Sequence, residues 1–127
     1  MQINHIAIWT SNLEISKNFY VKWFRAKANN KYSNTSKQFT SYFIEFDNSN
    51  CRIELMHSPN LLKLETSDFI GLAHFAISVG SKNEVDRITL EMEENGIAIV
   101  SKPRYTGDGY YESIILDPDG NKIEITI

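Results

Sequence analysis

Hydrophobic and polar positions alternate in NHIAIW at 4–9, where Ile6 and Ile8 fall on one side and His5, Ala7 and Trp9 on the other. A period of two marks a strand with one buried face. The pattern returns at 74–79, where Phe75, Ile77 and Val79 oppose His74, Ala76 and Ser78. It returns again at 52–56, with Ile53 and Leu55 against Arg52, Glu54 and Met56. At 122–127 the isoleucines at 123, 125 and 127 oppose Lys122, Glu124 and Thr126. Between these strands the period becomes that of a helix. Ile15, Phe19 and Trp23 recur every four residues within 12–24, and Val85, Ile88 and Met92 lie at i, i+3 and i+7 within 82–95. Each set predicts one buried helical face, and Asn95-Gly96 predicts the stop of the second helix.

The elements repeat in one chain order. INHIAIW at 3–9 aligns with LAHFAIS at 72–78, placing His5 on His74 and Ala7 on Ala76. DNSNCRIEL at 47–55 aligns with DPDGNKIEI at 117–125, placing Arg52 on Lys122 and Glu54 on Glu124. The helix starts SNLE at 11–14 and SKNE at 81–84 share the same spacing, and each has the Ser-x-x-Glu form of a capping box. Further strands are expected near 26–32 and 38–46 in the first half and near 97–101 and 110–117 in the second. The expected fold is therefore α+β, with two repeated β-α-β-β-β modules in one domain over 1–127. The modules take up about 1–57 and 71–127, and a linker at about 58–70 has room for a short helix.

Helices cover the aliphatic strand faces, so His5, Glu54, His74 and Glu124 must point to the other side. Singly, a strand histidine or glutamate usually sits on a solvated face. Two of each at repeat-equivalent positions form a stronger pattern: if the face curves and the modules pair about a pseudo-twofold axis, the four converge. Two imidazoles and two carboxylates suit a divalent ion such as Zn²⁺, Ni²⁺, Co²⁺ or Mn²⁺. His57 is the better fit to a loop histidine, and Cys51 has no basic neighbour or helix N-terminus to make it a reactive thiolate. The stretch RYTGDGYYE at 104–112 is a loop entering a strand or a cover over the cavity. Arg104 and Tyr110 within it, with Trp9 on the His5 face, are the candidate substrate contacts.

Composition narrows the classes. The 127 residues are 42% hydrophobic and 23% charged with net charge −3, an ordinary globular balance that predicts neither nucleic-acid nor anionic-membrane binding. No apolar run approaches the roughly 18 residues of a spanning helix. The first residues show no signal-peptide pattern, and the one cysteine excludes an internal disulfide. A cytoplasmic location is the expectation.

The repeated modules, with NHIAIWTSNLEISKNFY, IEL, LAHFAISV and DPDGNKIEI, resemble the vicinal oxygen chelate superfamily over essentially the whole chain. Within it they resemble bacterial glyoxalase I (lactoylglutathione lyase) and its relatives. The resemblance implies curved mixed sheets with helices on the outer face, a metal in the trough and a homodimer. It implies His5, Glu54, His74 and Glu124 as metal ligands, with Glu124 as proton-transferring base and Glu54 as its alternative. It implies a lyase or isomerase acting on a small α-oxo or thiohemiacetal substrate, a thiol adduct among them, through an enediolate. Metal-dependent thiol transferases and dioxygenases of the superfamily usually have a different residue at the place of Glu54. Non-catalytic antibiotic-binding relatives lack the metal residues. Trp9 stands where bacterial glyoxalase I commonly has an arginine, and Ser58 where it commonly has an asparagine. Both changes remove charge-assisted partners for a peptide carboxylate, so a thiol other than glutathione fits as readily.

Overall fold

The computed structural model describes residues 1–62 and 70–127. The chain divides into two compact units, Met1–Leu64 and Glu65–Ile127. Part of the connecting stretch, with the short helix expected there, lies outside the described residues.

The first unit begins with β1 (His5–Trp9), α1 (Leu13–Phe24) and β2 (Lys27–Ala28) and continues with β3 (Tyr32–Asn34), β4 (Phe39–Glu45) and β5 (Arg52–His57). Its sheet runs β1-β5-β4-β2, with β3 also paired to β4. The β1–β5 pair is parallel and the others antiparallel, so the sheet is mixed. The single strand expected at 26–32 is broken in two. At Asn29 the backbone N–H still donates to the Phe43 carbonyl at 3.1 Å, but the Phe43 N–H goes to the Asn29 side-chain oxygen at 2.8 Å, so a side chain replaces one of the two backbone bonds of the next rung.

The second unit holds β6 (Phe75–Ser78), α2 (Lys82–Glu94), β7 (Ile99–Tyr105), β8 (Tyr111–Leu116) and β9 (Lys122–Thr126). Its order is β6-β9-β8-β7, with β6–β9 parallel and the remaining pairs antiparallel. Edge strand β7 is longer than expected, running through Pro103 to Tyr105 with register shifts on the way. An edge position tolerates a proline that a central strand would not.

Strand parity holds in both units. Ile8, Ile53 and Leu55 are buried in the first and Ile123 and Ile125 in the second, while Glu54 and Glu124 face away from them. Helix α1 packs on β4 and β5, and α2 on β7, β8 and β9. In α2 the predicted face is the buried one: Val85, Ile88 and Met92 are all in the core, and Ser81 caps the helix by accepting the Glu84 N–H. Asn95 ends it, followed by Gly96 at φ +80, where a side chain would be strained.

Helix α1 differs from the expectation. Its cap is Asn12, not Ser11, with the side chain accepting from the N–H groups of Glu14 and Ile15. Leu13, Ser16, Phe19 and Tyr20 are its buried residues, and Ile15 is 55% exposed. Ser16 is tolerated in the core because its hydroxyl meets that of Thr10 at 2.5 Å. A polar residue in the buried stripe hid the true period.

Candidate metal centre

In the first unit the β1–β5 register sets His5 opposite Arg52 and Ala7 opposite Glu54, so both ligand candidates share the face that the helix leaves open. His5 Nε2 lies 3.7 Å from Glu54 Oε2, and the Glu54 side chain is 17% exposed. The other ring nitrogen, Nδ1, lies 2.9 Å from Asn4 Oδ1, which also accepts from Arg52 Nη2 at 2.9 Å. Phe43, opposite Glu54 on β4, meets His5 edge-on at 5.4 Å between centroids, and the Arg52 guanidinium lies 4.3 Å above the same ring.

Farther along this face stands an aromatic group. Trp9, 51% exposed, meets Phe39 edge-on at 6.2 Å, and Phe39 meets Tyr32 at the same distance. Met56 lies opposite Trp9 in the β1–β5 register. His57 is the last residue of β5, not a loop residue; its Nδ1 is 2.9 Å from the Thr10 carbonyl, which accepts the N–H and ties strand to turn.

In the second unit His74 lies directly before β6, and its Nε2 is 3.3 Å from Oε2 of Glu124, a β9 carboxylate that is also 17% exposed. On the neighbouring strand Glu112 is 8% exposed, opposite Thr126 on one side and Arg104 on the other. Arg104 Nη2 is 3.7 Å from Glu112 Oε1. Burial pushes the Glu112 carboxyl above its ordinary value and the Glu124 charge adds to this, while Arg104 opposes both. Arg104 is thus a strand residue beside this face, not part of a loop. Tyr110 sits in the turn after β7, 62% exposed, its N–H donated to Thr106 Oγ1 at 3.0 Å.

The strand-by-strand alternation puts His5, Glu54, His74 and Glu124 on one side, in keeping with the His5–Glu54 and His74–Glu124 contacts. It missed Glu112, whose signal was the parity of the strand before the closing hairpin: Tyr111, Ser113 and Ile115 are buried toward α2, which leaves Glu112 on the Glu124 face. It also missed Asn4 and Arg52, whose contact depends on the β1–β5 register.

Two donors about 2.1 Å from a shared ion, at angles of about 90–110°, stand roughly 3.0–3.4 Å apart. The 3.3 Å of His74–Glu124 falls in that range and the 3.7 Å of His5–Glu54 lies just beyond it. Nitrogen and carboxylate oxygen donors are the set that Zn²⁺, Ni²⁺, Co²⁺ and Mn²⁺ accept, so each pair fits as part of a site. Among the described residues no three His, Cys, Asp or Glu side chains gather closely enough to hold an ion, so what each unit supplies is a pair.

Comparison with known proteins bears on the fold. The family model described as Glyoxalase/Bleomycin resistance protein/Dioxygenase superfamily matches residues 2–125. No curated protein matches the chain. Glyoxalase I from Zea mays is similar with a TM-score of 0.81 at 23% identity, over 98% of this chain and 44% of that one, so the chain spans less than half the maize enzyme. A glyoxalase family protein from Enterococcus faecalis gives 0.80 at 24% identity, covering 99% of this chain and 97% of that one. A glyoxylase/bleomycin resistance protein/dioxygenase domain from Frankia gives 0.85 at 16% identity, covering 100% and 97%. At these identities the likeness shows the fold.

Proposed function

The chain belongs to the glyoxalase/bleomycin resistance protein/dioxygenase superfamily, and from that premise we propose that it is a metal-dependent lyase or isomerase of glyoxalase I type. The observation that carries the reading is the repeated His–Glu pair, at 3.7 Å in one unit and 3.3 Å in the other, each on an open sheet face. His5 and Glu54 are the ligands that the first unit supplies, and His74 and Glu124 those that the second supplies. A divalent ion held there would polarise two adjacent oxygens of an α-oxo or thiohemiacetal substrate and stabilise charge building on them.

Glu124 takes the proton from the carbon beside the carbonyl and returns it to the neighbouring carbon; Glu54 is its counterpart in the first unit. Family resemblance favours Glu124 as the base, and Glu112 and Arg104 stand on the same face as it. The rings of Trp9, Phe39 and Tyr32 receive an apolar part of the substrate. That preference, with Trp9 in place of a cation, favours an adduct of a thiol less charged than glutathione. Reconstitution with Zn²⁺, Ni²⁺, Co²⁺ or Mn²⁺, followed by assay with methylglyoxal and several thiols, tests the reading. Glu124→Gln should keep its metal and lose turnover; near-normal turnover would remove Glu124 from the role of base.

The aromatic group favours a second reading, sequestration of a small aromatic molecule without chemistry. Metal content separates the two: after reconstitution, less than about 0.2 ion per chain favours binding alone, since a built four-ligand site fills readily.

A further inference from the structure

The side chain of Asn4 fixes a property of His5 that distances alone do not show. A guanidinium can only donate hydrogen bonds. The Asn4 atom 2.9 Å from Arg52 Nη2 is therefore the carboxamide oxygen, since an amide nitrogen there would set donor against donor. The same oxygen lies 2.9 Å from His5 Nδ1 and can only accept, so Nδ1 carries the hydrogen. In the neutral ring Nε2 is then the bare nitrogen, and Nε2 is the atom that faces Glu54. A lone pair opposed to a carboxylate with no hydrogen between them is an arrangement that a cation relieves.

Asn4 is itself held from both ends by residue 52. The Arg52 N–H donates to the Asn4 carbonyl at 3.1 Å while its guanidinium grips the side chain. The guanidinium is steadied in turn by the Phe43 ring, against which His5 also rests. The corresponding positions of the second unit carry different residues. Ala73 precedes His74, with no side-chain acceptor, and Lys122 stands where Arg52 stands.

We propose that Asn4, oriented by Arg52, is a positioning residue that locks His5 as the Nδ1–H tautomer and makes the first unit the preorganised half of the metal site. The second clause rests on the reading of His5 as a ligand; the tautomer does not. Ligand-orienting partners of this kind are commonly worth 10–100-fold in metal affinity.

Long-range ¹H–¹⁵N NMR of the metal-free full chain tests the tautomer directly, at a pH of about 8, above the ordinary imidazole range. Wild type should show His5 with its hydrogen on Nδ1, while His74 shows a mixture. Asn4→Ala should return His5 to a mixture, and Asn4→Asp, which keeps an acceptor, should restore the lock. Zinc affinity by chelator competition should fall roughly 10–100-fold in Asn4→Ala and recover in Asn4→Asp. A wild-type His5 protonated on Nε2, or a tautomer indifferent to Asn4→Ala, overturns the proposal. A shifted tautomer with unchanged zinc affinity overturns its metal clause. A wild type with the lock that binds no zinc instead overturns the ligand reading and leaves the tautomer assignment standing.

Discussion

Truncating two adjacent residues of β5 to alanine should have very different consequences. Leu55 is fully buried, opposite Ile8 and Tyr42 on the face that packs under α1. Met56 is half-buried on the opposite, open face. Leu55→Ala removes three carbons, about 2.4 kcal/mol at roughly 0.8 kcal/mol per buried methylene. The cavity left between strand and helix adds about 1 kcal/mol or more, for a total of about 3–4 kcal/mol. Met56→Ala leaves no enclosed cavity and should cost about 1 kcal/mol or less. Both tryptophans of the chain, Trp9 and Trp23, lie in the first unit. Urea unfolding followed by tryptophan fluorescence therefore reads the unit that holds both mutations. With a slope of about 1–1.5 kcal/mol/M, the Leu55→Ala midpoint should fall by about 2–4 M and that of Met56→Ala by less than about 1 M. Equal losses, or a larger loss at Met56, would refute the face assignment on which the placement of Glu54 depends.

Two pH-dependent outcomes follow from charges elsewhere. Lys17 and Lys31 hold the Glu14 carboxyl at about 2, against an ordinary 4.5, with Tyr42 adding a hydrogen bond. This stabilises the first unit above pH 4.5 and is lost as pH falls toward 2. Because the side chain is half exposed, Glu14→Gln should cost less than about 1 kcal/mol at pH 7. It should also flatten the acid limb of a stability–pH curve; an unchanged limb would refute the pairing. Glu112 has the opposite sign: its folded-state carboxyl is raised by burial, so ionisation costs more in the folded chain than in the unfolded one. In metal-free protein Glu112→Gln should gain stability relative to wild type as pH rises from 4.5 toward neutrality, and a relative loss over that range would show that Arg104 outweighs burial.

What the sequence disclosed depended on how far each signal reaches along the chain. Strand faces have a period of two, so Ile53 and Glu54 part company in any short window. The face of α2 is legible in the same way, but that of α1 is not: its buried stripe is Leu13, Ser16, Phe19 and Tyr20, with a polar residue inside it and Ile15 outside it. The glycines at 107 and 109 give 104–112 the look of a loop, but β7 continues through Pro103 to Tyr105, which its edge position permits, and so takes in Arg104. Asn4 and Arg52 are 48 residues apart, and nothing local to either announces their contact.

The same limit separates what the repeat preserves from what it does not. Duplication accounts for a histidine and a glutamate on equivalent strands, and alternation keeps them on the open face. Their neighbours have diverged. Around His5 and Glu54 stand Asn4, Arg52 and Phe43, with Trp9, Phe39 and Tyr32 beyond; around His74 and Glu124 stand Glu112 and Arg104. One half is aromatic with a fixed imidazole, and the other carries a buried carboxylate beside a cation. On the proposed reading, equal His–Glu pairs in unequal surroundings would contribute unequally, with an aromatic group beside the first and a carboxylate and a cation beside the second. Exchanging one pair's neighbours for the other's would then alter specificity or turnover selectively, whereas replacing the proposed ligands themselves would abolish both.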